Sequence, residues 1–193
     1  MRARPWVAPF ALGIALASPA ALAAAPTATV DPAHTSASFS VRHLTLTTVT
    51  GTIAIKDATI VLGDGNLLKE ADATLDLQTI DTHETDRDND LRSDHWFEVA
   101  KYPLMTFKST KIEPGPGGTM NITGDLTFHG VTNPVTLAAK YEGSIKDQKG
   151  VTHLGYSATT TVDRTAWGLG PNFPPVVVGN DVTLTLELEA KLL

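Results

Sequence analysis

Between Val182 and Leu192 every second residue is apolar: Val182, Leu184, Leu186, Leu188, Ala190 and Leu192 alternate with Thr183, Thr185, Glu187, Glu189 and Lys191. A repeat of two matches the opposite sides of a β-strand and no helix. The chain repeats this pattern elsewhere. Met120, Ile122, Leu126 and Phe128 share one face of 119–128, and Val135, Leu137, Ala139 and Tyr141 follow. Tyr156, Ala158, Thr160 and Val162 form a weaker row; Phe39 with Val41, Ile53 with Ile55, and Ala73, Leu75 and Leu77 complete the set. Gly and Pro fall between the runs. This predicts an all-β, antiparallel meander of roughly eight strands. Eight strands closed on themselves leave room for one slender ligand and expose no edge. A two-sheet sandwich satisfies the same strand count and stays open as the competing architecture.

One stretch breaks the pattern. Glu84 to Asp94 is dense in charge and has no β-branched residue after Thr85. Thr85 with Asp88 forms a candidate N-cap pair, and Asp86 and Asp88 precede Arg92, the order a helix dipole favours. The expectation is a short helix at about residues 86–93, pinned by Leu91, Trp96 and Phe97. Arg92 follows Asp88 by four and Arg87 precedes Asp90 by three, so the default is a solvated helix with charges paired along its surface.

The N-terminus reads as a removable export signal: Arg2 and Arg4, an apolar run from Val7 to Ala17, then Ala21-Leu22-Ala23 before a cleavage point. The run is too short for a membrane-spanning helix. The expected division is a signal peptide at 1–23 and one domain at 24–193, exported to the periplasm. The formal net charge of −6 becomes more negative once Arg2 and Arg4 are removed. That argues against nucleic acid as a partner and against charge-driven binding to anionic membranes. The absence of cysteine removes thiol catalysis and Cys-ligated metal.

The remaining chemistry is sparse. The six histidines are scattered, so a metal site would need ligands converging from distant strands, and no metal or cofactor is expected. No serine sits in a nucleophile elbow. His43 continues the face of Phe39 and Val41, either as a core histidine bonded to a carbonyl or as a polar group in a pocket. His129 falls on the face opposite Phe128 and should lie outside. Arg164 ends the Tyr156–Val162 row, where it would mark a pocket mouth or form a salt bridge to the helical acids.

Several motifs occur in order: Asp31-Pro32-Ala33-His34-Thr35; Phe39-x-Val41-x-His43; Ile80-Asp81-Thr82; Arg87 to Phe97; Tyr102-Pro103 with Thr106-Phe107; Gly124-Asp125-Leu126 with Gly130-Val131-Thr132; and Arg164-Thr165-Ala166-Trp167-Gly168. Together they resemble the YceI-like family of exported bacterial proteins. Gly51-Thr52 stands where that family often has Gly-Phe. The resemblance implies a lipocalin-like barrel enclosing an isoprenoid or other long lipid, with a pyrophosphate, quinone or amide head near the mouth. On that reading Phe39, Val41, Phe107, Leu126, Phe128, Tyr156 and Val162 are wall residues. His43 and Arg164 meet the head group, with Trp167 beside them. The ligand is held reversibly for sequestration, storage or transport, with no catalytic residue. An enzyme using His43 with a carboxylate, and a partner of a quinone-handling membrane cytochrome, are the rival readings. Homodimerisation and transient membrane contact stay open.

Overall fold

A computed structural model describes residues 25–192; the expected signal segment at 1–23 lies outside them. The strands are β1 (Thr27–Val30), β2 (Ser36–His43), β3 (Thr47–Leu62), β4 (Leu68–Asp81), β5 (Leu104–Pro114), β6 (Thr119–Phe128), β7 (Val131–Lys146), β8 (Thr152–Asp163) and β9 (Val178–Leu192). From β2 to β9 each strand pairs antiparallel with the next, and β9 pairs back onto β2. Short β1 lies between the far ends of β3 and β9. It continues the line of β2 after a 3-10 turn at Pro32–His34. The barrel therefore has eight strand positions, the first of them interrupted, and the closed barrel replaces the sandwich alternative. An even number lets the last strand meet the first antiparallel, and closure leaves no long edge unpaired.

The inward rows are those the alternation picks out, but they run further. In β3 the buried positions are Gly51 and Ile53, then Ile60 and Leu62. The parity changes because the register with β4 shifts between Ile55 and Asp57. The extra residue of a β-bulge lets Lys56 and Asp57 both face solvent while the apolar row resumes inside.

The interior differs between its two ends. At one end Ile60, Leu62, Leu68, Met120, Leu154 and Tyr156 are buried and fill the barrel. The Tyr156 hydroxyl donates to Asn66 O at 2.8 Å, and Asn66 Nδ2 donates to the Tyr141 hydroxyl at 3.0 Å. Burial pushes the Tyr156 phenol well above its ordinary range, with the Tyr141 phenol adding to the shift. The other end is lined rather than filled, and two segments cover it: helix α1 (Thr85–Arg92) with the residues that follow it, and the stretch from Arg164 to Val177.

Helix α1 corrects two expectations. Its N-cap is Glu84, whose carboxylate accepts from Asp86 N and Arg87 N, so Thr85 is not the cap. Its charges do not pair along its surface. Asp88 is buried and accepts from Thr82 N at 2.8 Å and Thr82 Oγ1 at 2.5 Å. Arg87 donates to Thr82 Oγ1 and Thr82 O, and Arg92 donates to Ile80 O at 3.0 Å. Tertiary demand wins because Ile80 at the end of β4 and Thr82 just after it leave backbone and hydroxyl groups that need partners once α1 covers them.

Candidate functional site

The lined end holds a cavity of about 340 Å³. Its walls come from most strands of the barrel: Ala37, Phe39 and Val41 on β2, Ile53 on β3, Leu75 on β4, Phe107 on β5, Leu126 and Phe128 on β6, Leu137 on β7, Val162 on β8 and Leu184 on β9. Side chains of this kind leave the cavity almost entirely apolar. Two glycines set where the aromatic walls lie. A Cβ at Gly51 would stand 2.5 Å from Phe39 Cζ, and one at Gly124 would stand 2.5 Å from both Phe107 Cζ and Lys108 O. Each ring therefore lies across a bare backbone, close to the strand and out of the lumen. Gly51 does this work even though Thr52 stands where the family often has phenylalanine.

The lid is aromatic. Phe128 stacks on Trp167 with ring centres 4.9 Å apart, and Phe97 leans over Phe128 at 6.0 Å. Trp96 stacks on Phe173 at 4.9 Å, and its Nε1 donates to Asp90 Oδ2 at 2.9 Å. Leu91, Trp96 and Phe97 all face the cavity, so they join α1 to the barrel as expected.

Arg164 is placed differently from either sequence reading. Its side chain is buried, and all its N–H groups go to backbone carbonyls: Nε to Gly179 O, Nη1 to Leu169 O and Gly170 O, and Nη2 to Phe173 O and Val178 O, at 2.5 to 3.1 Å. No carboxylate lies within salt-bridge distance among the described residues. Desolvation holds its pKa below the ordinary arginine value, with the Asp163 carboxylate opposing in part. The guanidinium also lies 5.6 Å from the Trp96 ring centre. Arg164 borders the cavity, but its donors are spent on shaping the 169–179 loop. Five N–H groups in a planar fork match a loop folded back on itself, which no sequence pattern announces.

The other sequence-predicted residues divide by height. Phe39, Val41, His43, Phe107, Leu126, Phe128 and Val162 line the cavity together. Tyr156 does not line it: its ring belongs to the filled end. Trp167 does not line it either; it is buried behind Phe128 with Nε1 donating to Leu126 O at 3.1 Å. His129 is outside the cavity as expected, but its side chain is only 20% exposed, with Nδ1 donating to Trp167 O at 2.8 Å.

Polar groups are few; besides Arg164 and the strand residues Ser38 and Thr185, they are His43 at the tip of β2 and Arg87 and Asp90 on α1. The His43 imidazole has no hydrogen-bond partner among the described residues, which leaves aside the carbonyl-bonded alternative. Arg87 spends Nε and Nη2 on Thr82, which leaves Nη1 without a hydrogen-bond partner among the described residues. Among the polar residues at the lidded end, the sequence does not mark Asp90 as a site residue, and it assigns Arg87 by default to a solvated surface. They belonged to a helix read as solvated, and the signal available was the proximity of Leu91, Trp96 and Phe97.

Comparison with known proteins agrees with this architecture. Residues 29–190 match the YceI-like domain. A UPF0312 protein of Ectopseudomonas mendocina is 31% identical over 182 residues, covering 94% of this chain and 95% of its own. The crystal structure of a Campylobacter jejuni YceI protein superposes with a TM-score of 0.71 at 29% identity, covering 78% of this chain and 88% of that one. A polyisoprenoid binding domain from Saccharophagus degradans, implicated in plant cell wall breakdown, shares the fold at a TM-score of 0.63 and 15% identity, covering 86% and 98%. The chain belongs to the YceI-like family.

Proposed function

We propose that this protein is an exported, periplasmic carrier that holds an isoprenoid or related long-chain lipid in the lidded end of its barrel, with no covalent step. The observation that carries the reading is the cavity itself: an apolar lumen of about 340 Å³ beneath an aromatic lid, in a barrel whose other end is occupied by buried side chains. Each methylene taken from water into such a lumen gains about 0.8 kcal/mol. The fold shared with a polyisoprenoid binding domain supports the same ligand class. The chain enters tail first, stops at the Tyr156 end, and leaves its head at the covered end. There Arg87 and His43 offer donors, which suits a carbonyl or phosphate head better than a cationic one.

The test is extraction of the protein after purification from a bacterial host without detergent, with identification of the released lipid. About one isoprenoid per barrel is the expected result. A barrel that yields no lipid and takes up neither a quinone nor a prenyl phosphate contradicts the proposal.

A further inference from the structure

The β2–β3 turn is made by residues poorly suited to it. Leu44 and Thr45 have φ of 51° and 57°, and Leu46 N donates to His43 O at 3.0 Å. Both central residues are left-handed, the geometry for which Asn-Gly is the favoured pair. A leucine and a β-branched threonine adopt it under strain. The turn also leaves Leu44 47% and Leu46 76% exposed, and Val176 on the neighbouring loop is 59% exposed. The two segments are joined, since Leu44 N donates to Val177 O at 2.9 Å. His43 and Val177 border the cavity, so the apolar patch stands on its rim.

Charge sets this rim apart. The chain has 21 Asp and Glu, yet none lies between Asp31 and Asp57 or between Asp163 and Asp181, the stretches that contain the turn and the loop. Helix α1, which borders the same cavity, is rich in acids. The patch is also small. Three side chains fall far short of the roughly 800 Å² per partner that a stable dimer buries. They are enough to enter the headgroup boundary of a bilayer, where exposed leucines are buried without a matching protein surface.

We propose that the Leu44–Leu46 turn and the Val176 loop form a bilayer-docking rim, which sets the cavity opening against the membrane that supplies or receives its lipid. The role as a lipid port rests on the carrier reading above; the docking itself does not. The rim enters a zwitterionic surface by its apolar tips, and the acidic helix keeps the contact edge-on and reversible.

The experiment is flotation of the purified protein with phosphatidylcholine vesicles, without added cargo. Wild type is expected to float, and Leu44→Ser, Leu46→Ser and Val176→Ser combined to lose about tenfold or more in partitioning. Ile145→Ser, at an exposed residue of the β7–β8 hairpin at the opposite end, is expected to change nothing. A second variant separates docking from folding: Leu44→Asn with Thr45→Gly relieves the turn, so it should raise Tm while weakening flotation. Wild type that does not float, or a triple variant that floats equally well, overturns the docking rim. So does a wild-type dimer that the triple variant converts to monomer with flotation unchanged, which would assign the patch to a second copy. Absence of lipid from the purified protein would count against the carrier reading and leave the flotation result standing.

Discussion

Arg164 shows how a residue visible in the sequence can have its role decided elsewhere. Alternation placed it correctly at the end of an inward row, but the sequence does not show that a loop with Pro171, Pro174 and Pro175 would fold back to present carbonyls to it. Arg164→Met should orphan these carbonyls and cost about 3–5 kcal/mol in urea unfolding, while Arg164→Lys, with three donors and no fork, recovers only part. Gly124→Ala drives a methyl against Phe107 and Lys108 O, and should cost about 1–3 kcal/mol. His153 supplies the pH dependence. Glu189 Oε1 lies 2.7 Å from its Nδ1 and Asp147 Oδ2 lies 3.3 Å from its Nε2, and both raise its pKa above 6.5, Glu189 the more. A raised folded pKa means the stabilisation is fully present below 6.5 and is lost as pH rises through the folded value. Stability followed upward from pH 6 should therefore decline in wild type, and the decline should be smaller in His153→Gln. Asp31 acts in the opposite direction. Lys191, the Ala33 amide and His34 hold its pKa at about 2, so its contribution is present above 3.8 and disappears as pH falls toward 2.

Elements were legible where one periodicity ran unbroken and obscure where it changed phase. β6, β8 and β9 follow the alternation closely, whereas β3 extends to Leu62 across a bulge that reverses its parity, so Ile53 and Ile55 read as a short strand. Helix α1 was found within a residue of its ends and its apolar anchors were named, yet its polar attachment was not, because Asp88 looks like any exposed helical acid until Thr82, just after β4, is placed against it. Asp88→Ala should leave Thr82 N–H without a partner and cost about 1–3 kcal/mol. Hydrogen exchange should then show faster opening of α1, with the barrel amides unchanged. Equal acceleration throughout the barrel would mean that α1 is part of the cooperative core and not a separate cover.

At the scale of the molecule, one barrel does two jobs at its two ends. The Tyr156 end carries the packing that lets a cysteine-free chain stay folded, and the lidded end can then be left unfilled. Strand number followed from periodicity, whereas closure rested on the family resemblance, because a sandwich satisfies the same count. Which half would be empty depended on where Tyr141, Tyr156 and Met120 meet, and that is set by register between strands. Ala73 borders the cavity, so Ala73→Phe should fill it from the wall without disturbing the floor. The most direct measurement is native mass spectrometry of wild type and Ala73→Phe titrated with prenyl chains of increasing length. Wild type should bind one chain, with affinity rising with length until the lumen is full, and Ala73→Phe should fold as well and bind none. Equal binding by the two proteins would place the lipid outside the barrel and contradict the account.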